Sequence, residues 1–179
     1  MKTKQKLFLI LMLMLSMLSQ TACSSKMAAC PNPTSETKLL TNAEEAYCLL
    51  YPAEYSATLP HYIVINPITG SGDAPGDAWL LISTAIASGR TATQIVDEQI
   101  AALGEGFNIT RFEVDVDGER AVVVDELPAQ DSARNVFIVH NNRLYNLIFM
   151  PWYPNAADPT RLEHLYTMVM ETLHFLPQE

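Results

Sequence analysis

From Tyr47 to Pro177 the chain is a series of short apolar runs separated by turn residues. Tyr47–Tyr51 and Tyr55–Leu59, split by Pro52, predict a first hairpin or a bent strand. Tyr62–Asn66 predicts a strand ended by Pro67, and Trp79–Ala85 another. Ile68–Asp77 between them holds three glycines and a proline and predicts a loop. Over Thr91–Leu103 the period changes. Ile95, Val96, Ile100 and Leu103 share one helical face, Thr91 or Thr93 supplies a cap, and Gly104 a stop. Asp97 and Glu98 are expected early in this helix, where its dipole favours negative charge.

Four strands are expected next. In Arg111–Val116, Phe112, Val114 and Val116 alternate with charged residues, which predicts a strand wet on one face. Asp117-Gly118 is a type I′ hairpin signal. Ala121–Val124 and Val136–Val139 are apolar at consecutive positions, so both of their faces should be covered. Asn141-Asn142 predicts a second tight turn before Leu144–Met150. A last helix follows, with Asp158 as cap, Pro159 at its first position, and Leu162, Leu165, Tyr166, Val169 and Leu173 as its apolar stripe. Strands apolar on both faces need a layer on each side. The expected class is therefore α+β: an α/β/α sandwich around one antiparallel sheet.

The head of the chain reads differently. Lys2, Lys4 and Lys6 precede Leu7–Leu18, which is apolar at every position but Ser16. Ser19 to Ala22 then lead to Cys23. A positive segment, a short apolar core and small residues make a secretory signal. Thr21-Ala22-Cys23 resembles a bacterial lipobox, although Gln20 stands where an aliphatic residue is usual. The expectation is a signal peptide over 1–22, lipid on Cys23, and an outward-facing, membrane-anchored protein. Residues 23–45, rich in Ser, Thr, Pro and Asn, are expected as a flexible tether, with at most a helical turn near Lys38–Glu45. Residues 46–179 are then one domain, long enough to build its own core.

Composition narrows the function. The chain has 11 Lys and Arg against 20 Asp and Glu. Losing the three leader lysines takes the formal charge from −9 to −12. So acidic a chain is a poor partner for nucleic acid, which requires clustered Lys and Arg. Of three cysteines, lipid on Cys23 leaves Cys30 and Cys48 as an even pair for an oxidising compartment. A bridge between them would contribute about 3 kcal/mol through loop entropy.

Four segments carry a family resemblance. Tyr47-Cys48-Leu49-Leu50-Tyr51-Pro52, Asp115-Val116-Asp117-Gly118-Glu119-Arg120-Ala121, Arg143-Leu144-Tyr145-Asn146-Leu147 and Leu173-His174-Phe175-Leu176 resemble the PsbP/Mog1-like α/β/α sandwich group. The similarity is greatest to its small bacterial lipoproteins and spans nearly the whole domain. It implies a binding or accessory role more than catalysis, and it carries over no functional residue.

Candidate chemistry is sparse. Glu113-x-Asp115-x-Asp117-Gly118 hints at a calcium loop, but its twelfth position is Val124, where a bidentate Glu is required. Asp73 and Asp77 in the glycine-rich loop are a weak cation candidate. His61, His140, His164 and His174 lack metal-site spacing, so no metal or cofactor is expected. Asp125 is expected half-buried, with Arg120, Arg134 or Arg143 as partner. The strongest binding candidates are Trp152 and Tyr153, held between Pro151 and Pro154. Their rings present rigid contact area for a protein or an apolar ligand. The functional expectation is a non-catalytic binding module. The alternative is a secreted hydrolase whose Ser-His-Asp triad assembles from distant residues.

Overall fold

Two tight turns set the register of the second half of the chain. Asp117 and Gly118 have φ of 49° and 80°, and Asn141 and Asn142 have φ of 48° and 61°. Two successive left-handed residues make the turn whose twist matches antiparallel strands. The computed structural model describes residues 30–64, 78–128, 132–152 and 159–177. Its strands are β1 (Thr37–Asn42), β2 (Tyr47–Pro52), β3 (Ser56–Leu59), β4 (Tyr62–Val64), β5 (Trp79–Ile86), β6 (Thr110–Val116), β7 (Glu119–Asp125), β8 (Arg134–His140), β9 (Arg143–Met150) and β10 (His174–Phe175). The helices are α1 (Ala92–Leu103) and α2 (Pro159–Thr172). Neither is long and apolar enough to cross a membrane.

The strands form two antiparallel sheets. The large one has the order β3-β4-β5-β9-β8-β7-β6, and the small one β1-β2-β10. Each expected hairpin closes on its turn: Val116 pairs with Glu119, and His140 with Arg143. The consecutive apolar positions of β7 and β8 face both ways. Val122, Val124 and Phe137 pack with Ala92 and Val96 of α1. Val123 and Val136 pack on the other face with Leu165 and Val169 of α2 and with Tyr47 and Leu49 of β2. The architecture is α+β, with one helix on each side of the large sheet and the small sheet beside α2.

Local chemistry fixes the helix ends. The Thr91 hydroxyl accepts from Gln94 N–H at 3.2 Å, and the Gln94 side chain accepts from Thr91 N–H at 2.9 Å. This capping box satisfies two donors that the first turn leaves unpaired. At the end of α2 the Thr172 hydroxyl donates to Met168 C=O at 2.6 Å and accepts from Leu50 N–H at 3.0 Å. It thereby serves the edge of β2 just where β10 begins.

Several expectations change. Residues 37–42, expected as tether or helical turn, form β1, whose Leu40 lies opposite Leu49. Ordered structure therefore begins before residue 46. Tyr47–Tyr51 and Tyr55–Leu59 do not form a hairpin: β2 pairs with β1 and β10, and β3 with β4. There are two sheets rather than one. Asp97 and Glu98 lie beyond the first turn of α1 and make ion pairs with Arg111 and Arg90. The Asp158 cap and the Ile68–Asp77 loop, with Asp73 and Asp77, lie outside the described residues.

Cys30 and Cys48 are joined by a disulfide, with Cα atoms 5.8 Å apart. Cys48 is fully buried in β2, between Thr41 of β1 and His174 of β10.

Candidate functional site

Asp125 ends β7 and Arg134 begins β8, and the register places them directly opposite each other. Both side chains point to the α2 face. Arg134 Nε donates to Asp125 Oδ1 at 2.8 Å, and Nη2 donates to Oδ2 at 2.7 Å. This two-point pairing is the strong geometry for guanidinium and carboxylate. The side chains are 16% and 15% exposed, so water screens them little. Of the three arginines named as partners for Asp125, Arg134 is the one bound.

Three rings surround the guanidinium. Its carbon lies 3.9 Å from the Trp152 ring centre, 4.9 Å from Tyr166 and 5.4 Å from Phe112. Trp152 is held from several sides. Its N–H donates to Ser132 C=O at 2.8 Å, and the Ser132 hydroxyl donates to its carbonyl at 2.7 Å. Its ring meets Tyr166 edge-on at 5.5 Å, and Tyr166 meets Phe149 at 5.1 Å. Burial raises the Tyr166 hydroxyl pKa above its ordinary value, against the lowering pull of Arg134. Trp152 is thus half-buried and partly a core residue. Tyr153, its expected companion, lies outside the described residues, as does Cys23.

Phe112 departs from expectation. It sits on the α2 face of β6, as the alternation predicts, yet it is 40% exposed. Only Val116 of this strand is buried. The cluster is an Arg–carboxylate pair whose charge is internally matched, walled by ring faces, with Phe112 at its rim. It offers apolar and aromatic surface rather than a free cation.

The opposite end of the large sheet is polar. His140 Nδ1 lies 2.8 Å from Glu119 Oε1, and Nε2 lies 2.9 Å from Asn141 Nδ2. Its ring stacks on Phe175 at 4.4 Å. Asp117 binds His174 Nδ1 through Oδ1 and accepts Phe175 N–H through Oδ2, each at 2.8 Å. These contacts pin β10 to the β6–β7 turn. They also dismantle the calcium candidate: Asp117 is engaged, Glu113 faces Arg120 at 3.5 Å, and Asp115 is exposed. Among the described residues no three His, Cys, Asp or Glu groups are placed to hold a metal. His164 is exposed on α2, and His61 contributes its carbonyl to Ile82 N–H.

Open clefts of about 390 and 340 Å³ lie at this polar end, one beside Glu45, Asn142 and Arg143, the other beside Arg90, Glu119 and Val139. A third, of about 220 Å³, lies against β6 between Arg111, Glu113, Val122 and Thr93. Sequence reasoning missed Phe112 and Tyr166 as rings that share Arg134 with Trp152, because it assigned both to covered faces.

No protein-family model matches the chain, and no curated protein matches it. Solved structures similar to it include cyanobacterial PsbP from Synechocystis sp. PCC 6803, at 13% identity and a TM-score of 0.43, covering 83% of this chain and 98% of that one. A Pseudomonas aeruginosa protein of unknown function is similar at 20% identity and a TM-score of 0.49, covering 80% and 99%.

Proposed function

We propose that this chain is an outward-facing lipoprotein, anchored through Cys23, whose domain is a non-catalytic binding module for an uncharged apolar or aromatic group. The reading of the leader supports the anchor: three lysines, an apolar run and Thr21-Ala22-Cys23. One observation carries the binding surface. Arg134 is neutralised by Asp125 and framed by Phe112, Trp152 and Tyr166. A guanidinium already paired at two points attracts a further anion weakly, so what remains for a ligand is ring surface.

The chain has two tryptophans, Trp79 and Trp152. In Trp79→Phe the emission reports Trp152 alone. Titration with the uncharged probe phenylnaphthylamine should quench that emission saturably, and Arg134→Leu, which removes the frame of the rings, should weaken the effect. Linear, unsaturable quenching in both proteins would sink the binding reading.

A further inference from the structure

β6 is an edge strand, with β7 as its one strand neighbour among the described residues. Its seven residues pair with β7 in unbroken register, from Thr110↔Asp125 to Val116↔Glu119. Free edges are normally blunted by shortness, bulges, proline or charged side chains, lysine above all, because they template pairing with another chain. The opposite edge follows that rule: β3 has four residues and a register shift between Ala57 and Leu59. β1, at the edge of the small sheet, carries Lys38. β6, with the sequence TRFEVDV, is long, regular and free of proline, and its only guard is charge of both signs, Arg111 against Glu113 and Asp115, which bars some pairings and favours others.

The two-residue turn makes Val116 and Glu119 a hydrogen-bonded pair, and the pattern alternates along the ladder. Thr110, Phe112 and Val114 therefore direct their N–H and C=O groups to β7. Arg111, Glu113 and Asp115 direct theirs outward.

We propose that this outward edge pairs antiparallel with the same edge of a second copy, across a twofold axis at Phe112. The charges select both occupant and register. An axis at Arg111 opposes two arginines, one at Glu113 opposes two glutamates, and one at Val114 opposes Glu113 to Asp115. Like charges directly opposite each other destabilise a sheet. With the axis at Phe112, Arg111 faces the partner's Glu113 and the reciprocal pair forms. Phe112 then faces its own copy, and Thr110 faces Val114. Arg111 and Glu113 keep their own-chain contacts to Asp97 and Arg120, so each pair extends into a network. The exposed Phe112 ring is covered, and the two Arg134 clusters become neighbours across the axis. A strand pair of this length is a small interface. Tethering both copies to one surface raises their effective concentration.

Sedimentation equilibrium of the full chain in density-matched detergent tests this by mass, independently of probe binding. The weight-average mass should climb from one chain to two with concentration. Glu113→Arg sets arginine against arginine and should weaken association at least tenfold. Adding Arg111→Glu restores opposite charges and should restore the dimer. In a Cys23→Ala background, Phe112→Cys should give a disulfide-linked dimer on mild oxidation, and Val114→Cys should not. This cross-link stands even if a charge variant fails to fold. A chain monomeric at every concentration overturns the proposal, as does a double variant that stays monomeric. Cross-linking through Val114 in preference to Phe112 does so too. Association with a foreign peptide strand and not with itself would give the edge to another occupant and equally overturn it.

Discussion

Asp125 holds both forks of Arg134 from the position directly opposite it in the β7–β8 ladder. Removing one partner strands a desolvated charge among rings. Asp125→Asn or Arg134→Met should each cost about 2–4 kcal/mol in a denaturant melt, slightly below the range for fully buried pairs because both side chains keep some exposure. The double variant Asp125→Leu with Arg134→Met should cost clearly less than the sum of the two changes. Additive losses would mean that the pair is not coupled.

Trp152 bears partly on the core, through Tyr166, and partly on Arg134. Trp152→Ala should cost about 2 kcal/mol, between the loss for a fully buried ring and the near-neutral change at a free surface. A melt unchanged within about 0.5 kcal/mol would remove the ring from the packing described here.

Lipid on Cys23 predicts that the full chain takes up radiolabelled palmitate and sediments with membranes. Cys23→Ala should lose both. Equal labelling of the two proteins would refute the anchor.

The Cys30–Cys48 bridge closes a loop with a sequence separation of 18. Its removal should cost about 3 kcal/mol, chiefly by freeing the unfolded chain. Melts of oxidised and reduced protein, with Cys48→Ala as a reference, measure it. Identical midpoints would deny the bridge any stabilising role.

Burial of Tyr47 pushes its hydroxyl pKa up to about 12, and the O–H donates to Pro60 C=O at 2.7 Å. The sign follows from proton counting. Between the ordinary tyrosine value of about 10 and the folded value, the unfolded chain binds fewer protons than the folded one. Stability should therefore fall as pH rises through that window, by about 2–3 kcal/mol in total. Tyr47→Phe should abolish this contribution. A variant whose alkaline melting curve parallels wild type would contradict it.

The legible half of the fold is the half built by counting from turns. Asn141-Asn142 closes its hairpin, and counting outward places Arg134 opposite Phe149. Trp152 lies three residues further on, so its meeting with Arg134 was within reach of the sequence. For Asp125 the sequence narrowed the partner to three arginines and no further, because β7 and β8 are joined by a longer connection that gives no register. β1 escaped notice because TKLLTN lacks alternation: Leu39 is exposed and Leu40 buried, and its pairing energy comes from β2. β10 is two residues long, below any periodicity. Phe112 was assigned to the correct face, but on the edge strand it has a strand neighbour on one side alone among the described residues and stays 40% exposed.

The placement of Cys48 also has a mechanical meaning. Tension drawn through residues ahead of Cys30 reaches the fold by two routes. With the bridge closed, the load enters at Cys48, mid-strand in β2, where β1 and β10 flank it on either side. Residues 31–36 then carry no force. With the bridge open, the same pull arrives at Thr37, the terminal residue of β1, and acts first on that outer strand alone. The oxidised protein should therefore unfold at higher force than the reduced one when stretched from its N-terminal side, and the difference should vanish when the pull is applied elsewhere.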